Sequence, residues 1–314
     1  MTGGPVGGFG LYLHWPFCTS KCPYCDFNSH VAASVDQVQW LRAYSSEIER
    51  VGRETQDRIL ETVFFGGGTP SLMLPETVDG LITKIKATWR CVNDLEVTLE
   101  ANPGSVEAGR FRAYAQAGVT RVSIGVQSLS DDALRKLGRM HTASEARRAF
   151  DIAQDTFARV SFDLIYARQG QDLDSWKSEL RMALAMQPTH LSLYQLTIED
   201  GTVFAERAAR NQLSGLPDED LSADLYELTQ TMCEDAELPA YEVSNHAKLD
   251  DEARHNLIYW KSGDYVGIGP GAHGRMTLAG QRFATEQPKN PFLWLESVEQ
   301  TSVIRPCAPG PMPT

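Results

Sequence analysis

Three closely spaced cysteines are the residues of this sequence best suited to chemistry. Cys18, Cys22 and Cys25 stand in FCTSKCPYCDF with the spacing CxxxCxxC. Thiolates at this spacing can converge on one metal centre, and no fourth cysteine follows closely. The pattern therefore predicts a metal site with an open coordination position.

Three interpretations of these cysteines are compatible with their spacing. A tetrahedral zinc site needs a fourth ligand, which His14 or His30 is near enough in sequence to supply. A [4Fe–4S] cluster on three thiolates leaves one iron free for an exogenous ligand. Three unrelated buried thiols are the least favoured interpretation, because half of the six cysteines fall in this one segment.

The other cysteines indicate a reducing environment. Cys91, Cys233 and Cys307 are scattered singly, and no signal peptide opens the chain. Disulfides are therefore not expected, and we predict a cytoplasmic protein in which these three residues serve packing at most.

Length and charge indicate an ordinary globular protein. A chain of 314 residues exceeds the usual size of one core unless the fold is a barrel or a large α/β sheet. The net charge of −12 arises from 41 acidic and 29 basic residues that are dispersed along the chain. No basic stripe and no long apolar stretch is present, so neither nucleic acid nor a membrane span is expected.

Short β-branched segments alternate with longer amphipathic ones, which is typical of βα units in a parallel sheet. Six such units predict an α/β barrel or part of one, with the helices outside and the functional residues at the carboxyl ends of the strands. The predicted strands are 9–15, 61–66, 95–101, 121–126, 160–166 and 190–196. The predicted helices are 36–52, 75–88, 107–117, 131–137, 144–157, 174–186 and 220–237.

Polar and glycine residues follow or end several of these strands. The second strand runs into GGGTPS, where glycines let the backbone approach a ligand closely. The fifth contains Asp163 among apolar residues, where an unpaired carboxylate is costly. Each residue alone is more often a turn or a helix cap, but their repeated placement favours a binding site. The others are Glu100, Gln127 and, in the segment after the fourth strand, Arg139.

Taken together, LYLHWPFCTSKCPYCDF, FFGGGTPS, LEANP, SIGVQS and HNLIYW resemble the radical S-adenosylmethionine (SAM) superfamily. Within it, the sequence resembles the oxygen-independent coproporphyrinogen III oxidase group and its HemW-type haem-chaperone branch, over roughly residues 9–290. The resemblance implies a partial (β/α)6 TIM-like barrel over 9–240, after a disordered N-terminus at 1–8. It also implies that 241–314 is an incomplete, truncated C-terminal extension carrying HNxxYW and a proline-rich tail.

The resemblance assigns cofactors and roles. The three clustered cysteines would hold a [4Fe–4S] cluster whose free iron binds the amino and carboxylate groups of SAM. Tyr12 would lie beside the cofactor, and Gly67, Gly68 and Thr69 would line its methionine end. Four further residues match SAM-contacting positions of the family: Glu100, Gln127, Arg139 and Asp163.

The chemistry that the resemblance implies begins when an electron donor reduces the cluster. Electron transfer to the sulfonium would break the S–C5′ bond and release a 5′-deoxyadenosyl radical that abstracts hydrogen from a substrate. The protein would supply positioning, cluster potential and exclusion of water and oxygen.

Two features favour the haem-chaperone branch. Phe27 stands where the oxidase branch extends its motif to CxxxCxxCxC, and HNLIYW matches the HNxxYW signature associated with haem binding. His255 could be an axial iron ligand beside an aromatic wall, or an ordinary hydrogen-bonded core residue. We therefore predict a protein that binds haem and delivers it to acceptor proteins, with respiratory enzymes expected, in the porphyrin and haem pathway.

Whether the protein is an enzyme stays open at this point. The alternative function is that of an oxygen-independent coproporphyrinogen III oxidase, which decarboxylates its substrate to protoporphyrinogen IX. A third is another radical SAM reaction on a different substrate.

One segment departs from the family pattern. Related sequences read DLIYGLPGQT where this chain reads DLIYARQGQD, so Ala167, Arg168 and Gln169 replace Gly, Leu and Pro. A different local geometry is expected there. The later glycine-rich segment Tyr265–Gly274 is expected to form a loop near the cofactor mouth or an ordinary surface turn.

Overall fold

A mostly parallel β-sheet surrounded by helices forms the body of the protein. The computed structural model describes residues 7–106, 108–278 and 280–300. The strands are β1 Phe9–Trp15, β2 Phe17–Cys18, β3 His30–Val31, β4 Ile59–Gly67, β5 Arg90–Ala101, β6 Arg121–Gln127, β7 Arg159–Tyr166, β8 His190–Gln195, β9 Asn245–Ala247, β10 Asp264–Ile268, β11 His273–Leu278 and β12 Gln281–Glu286. The helices are α1 Gln37–Glu54, α2 Pro75–Thr88, α3 Ala108–Ala117, α4 Asp131–Lys136, α5 Ala143–Gln154, α6 Leu173–Leu184, α7 Val203–Ala209, α8 Glu219–Asp235, α9 Arg254–Trp260 and α10 Pro291–Gln300.

The large sheet has the strand order β12-β11-β10-β1-β4-β5-β6-β7-β8-β9. The strands from β10 to β8 run parallel, and antiparallel strands extend both edges. The six predicted strands are β1 and β4 to β8, which confirms the predicted α/β fold of a partial (β/α)6 barrel. Its hydrogen-bonded ladder does not close into a ring in the described part of the chain.

The strands alternate between an apolar face and a polar face, with a period of two residues. Residues of the apolar face are buried in one core with the helices: Leu11, Leu13, Val63, Phe65, Val97, Leu99, Val122, Ile124, Val160, Phe162, Leu191 and Leu193. The strand register aligns the polar face, which lines the barrel interior: Tyr12, His14, Thr62, Phe64, Thr98, Glu100, Arg121, Ser123, Ser161, Asp163, His190 and Ser192. This face is where a buried ligand would meet polar groups.

An aromatic cluster supports the carboxyl end of β1. Trp40 and Tyr44 of α1 pack on Trp15, and Trp294 of α10 stacks on Trp40 with ring centroids 5.5 Å apart. The Tyr44 hydroxyl donates to the carbonyl oxygen of His14 at 2.5 Å. The packed aromatic rings and the Tyr44 hydrogen bond therefore fix the carboxyl end of β1, where the cysteine segment leaves the sheet.

The segment after residue 240 joins the same sheet, since β9 pairs with β8 and β10 pairs with β1. Sequence patterns missed these strands because they are short and follow irregular segments. The domain division at residue 240 stays a prediction. The tail 301–314 with Cys307, and residues 1–6 of the predicted disordered N-terminus, lie outside the described residues. No helix among the described residues is long and apolar enough to cross a bilayer.

Ala167 adopts a left-handed backbone conformation, with φ 55°. An L-residue pays a steric cost in this conformation that glycine avoids. The alanine side chain therefore strains the turn.

Replacing Ala167 by glycine should stabilise the protein by about 0.5–1 kcal/mol, because relief of the left-handed strain exceeds the added entropy of the unfolded chain. Urea unfolding measures the change. Ala113→Gly within α3 is the control, and it should destabilise by about 1 kcal/mol because its site is helical. A loss of stability in Ala167→Gly would contradict the strain.

Candidate cofactor site

The cysteine segment forms a loop that is closed at its base. Phe17 and Cys18 in β2 pair with His30 and Val31 in β3, so the loop leaves and returns at one point. Within it, the amide of Cys25 donates to the carbonyl oxygen of Cys22 at 3.1 Å. The spacing of the cysteines thus corresponds to a compact turn that starts directly after a core strand.

His14 anchors this loop. One ring nitrogen lies 2.9 Å from the Tyr12 hydroxyl, and the other lies 2.9 Å from the carbonyl oxygen of Asn28. Burial lowers the pKa of His14, so the ring is neutral at pH 7. Both nitrogens are therefore engaged within the protein, and the candidate fourth zinc ligand serves here to hold the loop.

Asn28 carries the connection further. Its side-chain amide nitrogen donates to the carbonyl oxygens of Pro270 and Lys289, at 2.9 and 2.8 Å. The glycine-rich segment Tyr265–Gly274 therefore braces the cysteine loop from the side. His30 lies against the same residue, 3.2 Å from the Asn28 side-chain oxygen.

Each of the three clustered thiols has its own polar neighbour. Cys18 accepts a hydrogen bond from the Thr69 hydroxyl at 3.4 Å, and Cys22 accepts one from the Arg139 guanidinium at 3.4 Å. Cys25 lies 4.0 Å from the Ser29 hydroxyl. Burial raises the pKa of the Cys18 and Cys25 thiols, so metal binding would have to displace their protons.

The described residues contain no group of three or more His, Cys, Asp or Glu side chains arranged around a single metal ion.

The GGGTP segment lies directly against the cysteine loop. The amides of Gly68 and Thr69 donate to the carbonyl oxygens of Trp15 and Phe17, at 2.7 and 2.9 Å. A Cβ atom on Gly67, which has φ 109°, would lie 2.7 Å from the His14 ring, and one on Gly68 would lie 2.7 Å from the Phe17 carbonyl oxygen. The glycines are required because two backbones meet here without room for side chains.

The backbone donors of this segment are already used. The Gly67 amide donates to the Glu100 carboxylate at 3.2 Å, and those of Gly68 and Thr69 bind the cysteine loop. Their first role is therefore to position the loop and Glu100, rather than to present three free N–H groups to a ligand.

Glu100 in β5 and Asp163 in β7 both lie on the polar face of the sheet. Burial, followed by the Asp163 charge, raises the pKa of Glu100 to about 8, and burial raises the pKa of Asp163 to about 6. Asp163 accepts a hydrogen bond from Ser123 at 3.0 Å. Within the described part of the chain neither carboxylate forms an ion pair, so together they favour a cationic group between the strands.

Arg139 links the cysteine loop to β6. Besides its contact with Cys22, its guanidinium donates to the carbonyl oxygen of Gly125 at 2.9 Å. Gln127 ends the same strand in a left-handed conformation, with φ 67°. Both residues are partly buried on the side of the cysteine loop that faces β6.

Tyr12 lies lower on β1. Its ring stacks on Phe64 with centroids 6.2 Å apart, and a Cβ on Gly66 would meet it at 2.8 Å. Burial raises the pKa of Tyr12 well above its usual value, which keeps the hydroxyl protonated. It therefore remains available to hold His14.

His255 lies toward the amino ends of the strands, away from the cysteine loop. Its ring nitrogens lie 2.7 Å from the Thr62 hydroxyl and 2.7 Å from the Tyr259 hydroxyl, and its ring stacks on Phe64. Burial lowers its pKa to about 3. The geometry is that of a neutral, hydrogen-bonded core residue, and its role as a haem ligand stays a prediction. Trp260 in the same motif is exposed.

The structure thus places ten of the twelve candidate residues toward the carboxyl half of the barrel, with Tyr12 in the middle of β1 and His255 apart. Two residues that hold this site, Asn28 and Ser123, were missed from the sequence. A signal for Ser123 exists, because its alternation within SIGVQS puts it on the polar face. No local signal identifies Asn28, whose partners lie far along the chain.

The fold and the residues around the cysteine loop define a class of protein. Comparison with known proteins identifies that class. The family model of the radical SAM superfamily matches residues 12–183. The chain therefore belongs to the radical SAM superfamily and, as the next comparisons specify, to its HemW-type family.

The relatives are similar over most of their length. The chain is 42% identical over 274 residues to "Heme chaperone HemW" of Haemophilus influenzae, covering 85% of this chain and 70% of that protein. It is 41% identical to "Heme chaperone HemW" of Escherichia coli, covering 90% of this chain and 74% of that protein. It is also 41% identical to the mitochondrial "Radical S-adenosyl methionine domain-containing protein 1" of Mus musculus, over 92% of this chain and 66% of that protein.

A solved structure shares the fold. Coproporphyrinogen III oxidase (HemN) from Escherichia coli superimposes with a TM-score of 0.80 at 21% identity, over 95% of this chain and 70% of that one. At this identity the likeness shows the common architecture alone.

The raised pKa of the partly buried Glu100 predicts how stability depends on pH. Because the folded-state pKa of Glu100 exceeds its value of 4.5 in an ordinary setting, its contribution is complete below about pH 4.5 and is lost as pH rises through about 8. In the cofactor-free protein, Glu100→Gln should reduce the loss of unfolding free energy between pH 5 and pH 9 by about 1 kcal/mol or more. Urea unfolding across this range measures it.

Glu234→Gln on the exposed face of α8 is the matched control, and it should keep the wild-type pH dependence. Identical pH profiles for Glu100→Gln and the wild type would contradict the assignment of a buried, protonated Glu100.

Proposed function

We propose that this protein is a haem chaperone that carries a [4Fe–4S] cluster and SAM. The observation that carries the proposal is the identity of 42% over 85% of the chain to a protein named as a haem chaperone. The exposed Phe27, in place of the fourth motif cysteine of the oxidase branch, points the same way. Delivery of haem to acceptor proteins in the cytoplasm, with respiratory enzymes as the expected acceptors, is part of this proposal.

The residues at the carboxyl half of the barrel fit both cofactors chemically. Cys18, Cys22 and Cys25 would ligate the cluster, and donors from Thr69 and Arg139 already point at two of their sulfur atoms. Such hydrogen bonds to ligand sulfur tune a cluster's reduction potential. When bound, the cluster with SAM supplies one-electron reductive cleavage of the sulfonium.

The other residues would orient SAM and exclude water. Glu100 and Asp163 form no ion pair among the described residues, and a positively charged ammonium or sulfonium would favour their ionised forms. Binding would then release the proton that Glu100 holds at neutral pH. Gln127 and Arg139 would close the opposite side, and Gly67 to Thr69 would keep the cysteine loop in place.

Haem ligation by His255 requires a local rearrangement. His255 is almost fully buried, and either Thr62 or Tyr259 must release a ring nitrogen before iron can bind it. Tyr259 is the partner that we expect to move. It is the penultimate residue of α9, and the last residue of that helix, Trp260, is exposed.

The cluster is tested by anaerobic reconstitution with iron and sulfide. We expect cluster absorption and a SAM-dependent change of the reduced-state EPR signal in the wild type, and loss of both in Cys22→Ala, because two thiolates cannot hold the cube. Cys91→Ala, which lies outside the loop, should behave as wild type. Colourless wild-type protein, or stoichiometric zinc, would exclude the proposed centre.

The same preparation separates the chaperone from the alternative oxidase. Incubation with coproporphyrinogen III, SAM and reductant should leave the substrate unchanged. Formation of protoporphyrinogen IX would overturn the chaperone assignment.

Haem titration tests His255. His255→Ala should lower haem affinity about tenfold or more and shift the absorption bands, since an axial ligand is lost. Tyr259→Phe keeps the aromatic ring but frees one nitrogen of His255, and should raise the affinity. If both variants titrate like the wild type, His255 is a structural residue and the iron ligand lies elsewhere.

A further inference from the structure

Directly behind Gln127 lies a buried ion pair. Arg168 is 8% exposed and Glu179 is 5% exposed, and their side chains form a salt bridge. Arg168 lies in the turn after β7, next to the left-handed Ala167. A buried arginine needs partners for its charge and its donors.

Glu179 of α6 holds the backbone that follows Gln127. Its carboxylate accepts a hydrogen bond from the Ser128 hydroxyl at 2.5 Å and from the Leu129 amide at 2.7 Å. The carboxylate therefore fixes the first two residues after β6 from within the core.

Arg168 completes the arrangement from the other side. Its guanidinium donates to the Gln127 carbonyl oxygen at 3.3 Å and to the Glu179 carboxylate at 3.3 Å. The Arg168 backbone is held in turn, since its amide donates to the Gln171 side chain at 3.2 Å. The planar Arg168 guanidinium thus connects the Gln127 carbonyl oxygen to the Glu179 carboxylate, which accepts hydrogen bonds from the next two residues of the chain.

This connection acts on a strained position. Gln127 has φ 67°, a conformation that costs a side-chain-bearing residue energy and persists only when its surroundings impose it. The Arg168 contact with the Gln127 carbonyl oxygen is therefore a specific restraint on the end of β6.

We propose that Arg168 is a positioning residue that holds Gln127 in the orientation required to contact SAM. The inference rests on the proposed function, because it takes Gln127 as a SAM contact. Arg168 acts on Gln127 through the hydrogen bond to its carbonyl oxygen.

Two variants separate positioning from folding. Arg168→Lys keeps the charge opposite Glu179, but its ammonium lacks the planar fork that reaches both acceptors. Arg168→Met with Glu179→Gln removes both charges, while the amide oxygen of Gln can still accept from Ser128 and Leu129. The pair lines a cavity of about 360 Å³, which gives a flexible Met side chain room to pack. Ala167→Gly, the adjacent position, is the matched control.

The measurement is the apparent dissociation constant of SAM, taken from the change that SAM causes in the EPR signal of the reduced cluster. Both variants should lose about tenfold in SAM affinity, the size of one hydrogen-bonding contact to a charged group. Cluster content and the EPR signal without SAM should stay as in the wild type, because Gln127 does not touch the cysteines. The melting temperature of Arg168→Lys should remain within a few degrees of the wild type.

Wild-type SAM affinity in either folded variant would overturn the inference. So would equal changes in the SAM-free EPR signal and in SAM affinity, which would indicate a general disturbance of the site. Failure of the proposed function looks different, since the wild type itself would then show no response to SAM.

Discussion

Two backbone hydrogen bonds, from Gly68 and Thr69 to Trp15 and Phe17, are the contact on which the candidate site depends. They join the end of β4 to the start of the cysteine loop at a distance that excludes a side chain at Gly68. Because the same segment binds Glu100 through the Gly67 amide, one close approach positions the thiols and a buried carboxylate together. The aromatic cluster beneath β1 keeps this junction rigid.

Polar and apolar residues alternate along the parallel strands. One face of the sheet therefore places carboxylates in the barrel interior, and two of them form no ion pair with a described residue. Helices cover one face and bury its aliphatic side chains, while the other face carries hydroxyls and carboxylates inward. Desolvation then raises the pKa values of Glu100 and Asp163, and neither forms an ion pair with another described residue. Glu100 therefore keeps its proton at neutral pH, and a cationic cofactor beside it would favour its ionised form.

The six core strands and their helices were predictable because hydrophobic periodicity is local and survives in the final structure. The elements that the sequence patterns missed include α7 and, after residue 240, the short strands β9 and β10, which pair with β8 and β1 at the two edges of the core strands. At Ala167 to Gln169 the sequence indicated changed geometry. The structure shows a left-handed alanine and a buried arginine paired with Glu179 there, and the change of geometry stays a prediction.

The amino-acid sequence by itself determined the order of elements, the three-cysteine loop and the residues at the strand ends, since each depends on neighbours within a few positions. Only the tertiary structure decided which of those groups already have hydrogen-bond partners within the protein. His14 and His255 both have their ring nitrogens engaged, the glycine-segment amides bind the cysteine loop, and Asn28 holds a segment more than two hundred residues away. Hydrogen-bond partners depend on distance in space, and sequence spacing carries no information about partners that the fold brings together.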